Sequence, residues 1–322
     1  MAVKALTRRT VGGAIAVGLV LTLGGLAMSS ARHATAVEET GPPDGQFVRV
    51  DGVRLHYIQA GAGPTVLLLH GSPGTVEDFR RVHAGKQAIF EDLARDHTVI
   101  ALHRPGYGWS EQEGGDPTPL ARQADLVALF LRSIGVESAL FVGHSYGGGL
   151  SLATAVRHPE VVRGLVLLGS VSHDGLHVPS LLTRLQTWPL LGPLFRWAVA
   201  PVLVEPLMGR AIDRLFTPEG APPGYPALLL PLLKRPSTLY QRAFELAGID
   251  RDFAPLVSDY PKIRVPTTVL VGEEEGDDLA TASKLLAEAI PNARTVRIPG
   301  VGHQIPHLRP RAVIEAVRAM FP

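Results

Sequence analysis

Five residues, Gly143-His144-Ser145-Tyr146-Gly147, set a nucleophilic hydroxyl between the small residues that a sharp turn demands. The apolar run Ala139–Val142 precedes them, and a helix-compatible run, Gly149–Arg157, follows. Strand, tight turn and helix form the context in which a G-x-S-x-G pattern presents its serine as a nucleophile. A serine hydroxyl is weak at neutral pH and needs a base brought close in space. Among 12 histidines, His303 has the best position for that work. It lies in Pro299-Gly300-Val301-Gly302-His303, directly after the last strand candidate, where flanking glycines allow a loop to aim its ring.

The base needs a carboxylate to orient it and to stabilise its charged form. The strand candidate Thr267–Val271 runs into Gly272-Glu273-Glu274-Glu275-Gly276-Asp277-Asp278, which offers five carboxylates. Glu275 is the first choice because it leaves the strand by a short reach and precedes a glycine. Asp278, Asp277 and the more remote Asp174 stay open. An oxyanion formed on a carbonyl substrate needs two backbone N–H donors. Tyr146 supplies one. The loop His70-Gly71-Ser72-Pro73-Gly74 supplies the other, and Ser72 is the candidate because Pro73 has no N–H.

These residues need a scaffold, and the composition permits one. In 322 residues, 46% are hydrophobic and 19% charged, which suits a folded chain with a sizeable core. The formal net charge of +1 calls for no nucleic acid. The absence of cysteine excludes disulfides, thiol nucleophiles and thiolate metal sites. No metal-ligand or phosphate-cradling motif occurs, so no cofactor is expected.

Phe47–Val50, Asp51-Gly52 and Val53–Tyr57 read as a hairpin. Apolar runs at Thr65–Leu69, Thr98–Leu102, Ala139–Val142, Gly164–Leu168, Thr267–Val271 and Thr295–Ile298 then alternate with helical patterns, notably Leu120–Ser133 and Ala280–Ala289. That alternation predicts an α/β fold: a mostly parallel twisted sheet of about eight strands flanked by helices. From about Val171 to Tyr260 no strand pattern occurs, and prolines cut a Leu- and aromatic-rich stretch into short helices. Residues 171–260 are therefore expected to form a helical cap inserted in a core of residues 37–170 and 261–322.

Lys4, Arg8 and Arg9 precede an uncharged stretch from Thr10 to Ser30, and Ala34-Thr35-Ala36 follows. This order is that of an export signal; the apolar stretch is also long enough for a retained membrane anchor. Residues 1–36 are expected to engage export machinery, and the main domain is expected outside the cytoplasm. Glu38–Gly45 reads as a linker.

The chain resembles the α/β-hydrolase fold superfamily from about Gln46 to Phe321. The resemblance rests on His70-Gly71-Ser72-Pro73-Gly74, Arg104-Pro105-Gly106-Tyr107-Gly108-Trp109-Ser110, Gly143–Gly148, Val265-Pro266 and Gly302-His303. It implies Ser145 as nucleophile, His303 as base, Glu275 at the acid position, and Ser72 and Tyr146 as oxyanion donors. Two positions depart from the common pattern: His103 stands where relatives usually carry aspartate, and the acid is a glutamate. The implied activity is cleavage of a small carboxylic ester, with an apolar acyl or aromatic part, through an acyl-enzyme. Proline iminopeptidases and carbon–carbon bond hydrolases are the alternatives. A silent binding protein on the same fold would lack the serine or the histidine, and both are present.

Overall fold

The computed structural model describes residues 2–42, 44–80 and 87–321. It opens with one long helix, α1 (Ala2–Thr40). Strands β1 (Gln46–Val50) and β2 (Val53–Ala60) form the expected hairpin, with Asp51 and Gly52 both at positive φ (45° and 85°) in the turn. The chain continues through β3 (Thr65–Leu69), α2 (Ile89–Leu93), β4 (Thr98–Leu102), α3 (Leu120–Ser133), β5 (Ala139–His144), α4 (Tyr146–Arg157) and β6 (Val162–Leu168). Between β6 and β7 lie α5 (Leu181–Thr187), α6 (Gly192–Leu194), α7 (Ala200–Leu215), α8 (Tyr225–Leu233), α9 (Pro236–Ala247) and α10 (Ile249–Val257). Then come β7 (Thr267–Gly272), α11 (Asp277–Ala289), β8 (Arg294–Ile298), α12 (Ile305–Leu308) and α13 (Pro310–Arg318).

The eight strands form one sheet in the order β1-β2-β4-β3-β5-β6-β7-β8. β1 and β2 pair antiparallel, as do β2 and β4; every later pairing is parallel. Side chains alternate across each strand, so β3 builds two cores at once. Leu67 and Leu69 join Phe141, Phe130 and Leu150 on one face, while Val66 and Leu68 join Val142, Phe90 and Val313 on the other. All four β3 leucine and valine side chains are fully buried, which explains why the strand reads as a continuous apolar run.

α1 extends further than its apolar stretch. It stays helical through Ala34-Thr35-Ala36 to Thr40, so the irregular linker starts at Gly41 rather than Glu38. Alanine and glutamate favour the helix there. His33 Nε2 also donates to the Pro231 carbonyl at 2.9 Å, tying this end of α1 to the helical segment between β6 and β7.

Candidate active site

Ser145 sits between β5 and α4 with φ 53° and ψ −120°, a conformation that costs on the order of 1–3 kcal/mol. Four hydrogen bonds hold it there. Its N–H donates to Leu168 O at 2.9 Å, and its carbonyl accepts from Gly148 (3.0 Å), Gly149 (3.3 Å) and Val171 (3.1 Å). Gly147 must be glycine, because a Cβ would collide with the carbonyls of Leu69 and His70.

His303 follows β8 on the expected loop. Its Nδ1 donates to Glu275 Oε1 at 3.0 Å, which leaves Nε2 of the neutral ring free to accept a proton. The Glu275 side chain is 1% exposed, and its second oxygen is buried without a hydrogen-bond partner among the described residues. Asp277 and Asp278 instead open α11 as exposed first-turn residues. Asp278 Oδ1 accepts from the N–H of Leu279 at 2.9 Å. Asp174 is exposed on the loop after β6. Ser145, His303 and Glu275 line one cavity of about 360 Å3, together with Leu215, Leu246, Ile249 and Leu279. Polar groups in the same wall include His173, His177 and Arg214.

The two candidate oxyanion donors lie beside the serine. Tyr146 is the first residue of α4, where helix geometry leaves N–H groups without an internal acceptor. Gly71 approaches so closely that a Cβ on it would lie 3.0 Å from Ser145 Cβ, and Ser72 comes next. Among the described residues, neither the Ser72 nor the Tyr146 N–H has an acceptor. The Ser72 hydroxyl turns away, to Tyr107 Oη at 2.7 Å.

Several residues that support this arrangement carry no local sequence signal. His144 Nε2 donates to the His303 carbonyl at 2.9 Å, fixing the loop that bears the imidazole. Full burial, with His303 nearby, pushes the His144 pKa down to about 3, so the ring stays neutral. Gly169 follows β6 with φ 47°; a Cβ there would lie 2.5 Å from Glu275 Oε2 and 3.2 Å from His303 Nδ1. Only a glycine leaves room for that pair.

Arg104 holds the loop opposite. Its Nε and Nη2 donate to the carbonyls of His70 and Gly71, both at 2.9 Å. Its charge is met by Glu245 of α9, with Nη1 to Oε1 at 2.7 Å and Nη2 to Oε2 at 3.3 Å. Tyr107 (2.6 Å), Gln123 (2.9 Å) and Gln241 (3.1 Å) also donate to the Glu245 carboxylate. Burial acts to raise the Glu245 pKa, but Arg104 and these donors outweigh it and leave the carboxyl below its ordinary value. The backbone N–H of Arg104 donates to His70 Nε2, so the His70 proton sits on Nδ1 and points to Gly71 O at 2.9 Å. His70 is fully buried, and burial beside Arg104 takes its pKa to about 3. At the departing position, His103 Nδ1 and His56 Nδ1 share a hydrogen bond of 2.8 Å. Burial, with His70 and His56 beside it, keeps His103 well below its ordinary pKa, so a neutral ring replaces the usual carboxylate.

Residues 64–310 match the family model described as alpha/beta hydrolase fold. The chain belongs to the α/β-hydrolase fold family. It is 31% identical over 274 residues to a 2-hydroxymuconate semialdehyde hydrolase of Pseudomonas putida, covering 83% of this chain and 90% of that one. It is 36% identical over 148 residues to the dihydrolipoyllysine-residue acetyltransferase component of an acetoin cleaving system from Cupriavidus necator. That match spans 44% of this chain and only 37% of the relative. Among solved structures, a bacterial membrane phospholipase A superposes with a TM-score of 0.63 at 24% identity, over 98% of this chain and 97% of that one. As a family member the chain is a hydrolase.

Proposed function

We propose that this hydrolase cleaves carboxylic esters through an acyl-enzyme, with Ser145 as nucleophile, His303 as base and Glu275 as orienting acid. The observation that carries the reading is the Glu275–His303 hydrogen bond in the cavity that Ser145 also lines. His303 Nε2 takes the hydroxyl proton as Ser145 Oγ bonds to the ester carbonyl carbon. The carbonyl oxygen becomes an oxyanion facing the N–H groups of Ser72 and Tyr146. When the oxyanion collapses, the ester C–O bond breaks and the alcohol leaves with the proton from His303. Water, deprotonated by the same ring, then releases the acid and restores Ser145. Residues 171–260 act as a cap that contributes the apolar wall at Leu215, Leu246 and Ile249. A small ester with an apolar acyl or aromatic part fits that wall, and no cofactor enters the scheme.

The protein is read as exported and held by α1 as a retained anchor. Val11–Thr40 contains a window of mean hydropathy 2.0, long and apolar enough to cross a membrane. The likeness to the membrane phospholipase A covers nearly the whole chain, α1 included, and supports both the anchor and the ester chemistry. The Pseudomonas putida relative favours a second reading, hydrolysis of a carbon–carbon bond. One experiment separates the two. The purified full chain should take up a fluorophosphonate at Ser145 and hydrolyse a chain-length series of aryl esters. Turnover of 2-hydroxymuconate semialdehyde with no ester turnover would replace the first reading by the second.

A further inference from the structure

Helices α5, α7 and α9 enclose a second cavity of about 280 Å3, which shares no lining residue with the one at Ser145. Phe195, Leu203, Val204, Met208 and Leu233 belong to its apolar wall, and Ser180, Thr183 and Gln186 add polar groups. Among the described residues, its single charged lining residue is Arg242. The Nε of that side chain is sealed from solvent and has no hydrogen-bond partner. Among the described residues the guanidinium makes no hydrogen bond and no ion pair, and because the residue is only half-buried its two terminal nitrogens are not sealed as Nε is. Glu245, one turn further along α9, is committed to Arg104. Arg242 is therefore a half-buried cation in the wall of a largely apolar chamber; it lies in the field of Glu245 but has no ion pair among the described residues.

We propose that this cavity binds a single-chain amphiphile with a carboxylate head, a free fatty acid, whose head pairs with Arg242. The planar guanidinium presents parallel N–H donors that match the two oxygens of a carboxylate. Among the described residues no second cation lines the cavity, so a phosphate dianion would be left half neutralised. A volume of about 280 Å3 suits a single alkyl chain. The rim supports entry by a chain: Leu182 and Leu207 line the cavity yet are 37% and 48% exposed. Leu181, Trp188 and Leu194 nearby in the sequence are exposed as well. Helix α8, which contributes Leu233 to the wall, touches α1 through Pro231 and His33. This site is independent of the chemistry at Ser145.

The test uses the full chain in nanodiscs of zwitterionic phosphatidylcholine and a photoreactive dodecanoate with a diazirine on the chain. After irradiation, peptide mass spectrometry should find saturable adducts on residues 200–211 and 233–239, displaced by unlabelled dodecanoate. The matching dodecanol probe should label them about ten-fold less, a difference of about 1.4 kcal/mol, because it lacks the charged head. Arg242→Met should show the same loss, and Arg242→Lys should restore part of the labelling. Dodecanoate should raise the thermal midpoint of the wild-type protein and leave that of Arg242→Met unmoved. Equal labelling by acid and alcohol, unchanged labelling of Arg242→Met, or adducts confined to the Ser145 cavity would each overturn the proposal. The acid-against-alcohol comparison needs no variant, so it decides the matter even if Arg242→Met fails to fold.

Discussion

Replacing Glu245 with glutamine removes one charge from a place where none reaches water. Arg104 and Glu245 are both 0% exposed and meet at 2.7 Å. Glutamine keeps the size of the side chain and one acceptor for Arg104. The variant therefore isolates the loss of the counter-charge, together with the acceptor for Tyr107. Breaking a buried pair from one side costs about 3–5 kcal/mol, because the remaining ion stays buried and uncompensated. In a protein of 322 residues each kcal/mol moves the thermal midpoint by about 1.5 °C, so the expected drop is roughly 4–8 °C. Unfolding followed by the fluorescence of the three tryptophans measures it. The sign with pH follows from the depressed Glu245 pKa. The stabilisation is complete above the ordinary value of 4.5 and is lost as pH falls through the lower folded value. Wild type and Glu245→Gln should thus differ at pH 7 and converge in strong acid. A drop below about 2 °C at pH 7, or a gap unchanged by acid, would refute the view that Arg104 depends on this carboxylate.

Other expectations concern the site itself. Ser145→Ala should abolish fluorophosphonate labelling, and His303→Ala should cost about as much turnover as Ser145→Ala, with the double variant little worse; additive losses would separate the two residues. Glu275→Gln should lower turnover by roughly four orders of magnitude, whereas Asp277→Asn and Asp278→Asn should stay near wild type. Collapse of Asp278→Asn with an active Glu275→Gln would move the acid role. Gly169→Ala drives a methyl against the Glu275–His303 pair, so kcat should fall by about two orders of magnitude with KM nearly unchanged; an unaltered kcat would show that the pair tolerates displacement.

The sequence by itself determined the elements whose cause is local. Thr65–Leu69 and Thr98–Leu102 read as strands because both their faces are buried, and the sheet contains them with those bounds. Leu120–Ser133 reads as a helix from its periodicity, and α3 has those ends. The turn at Ser145 is written in its glycine neighbours, since a close backbone approach admits no larger residue. Among the carboxylates after β7 the sequence gives little ground for choice, because every one of them is acidic and within a few residues. The hydrogen bond to His303 Nδ1 comes from Glu275 because β7 and β8 run side by side and the loops leave them at one edge. Gly169 looks like any glycine until β6 places it against that pair. Arg104 and Glu245 lie 141 positions apart, and no periodicity links them. Their contact exists only when the helical segment folds back over the sheet. Local patterns encode backbone conformation, whereas a buried charge finds its partner only through packing, and that was decided by the tertiary structure.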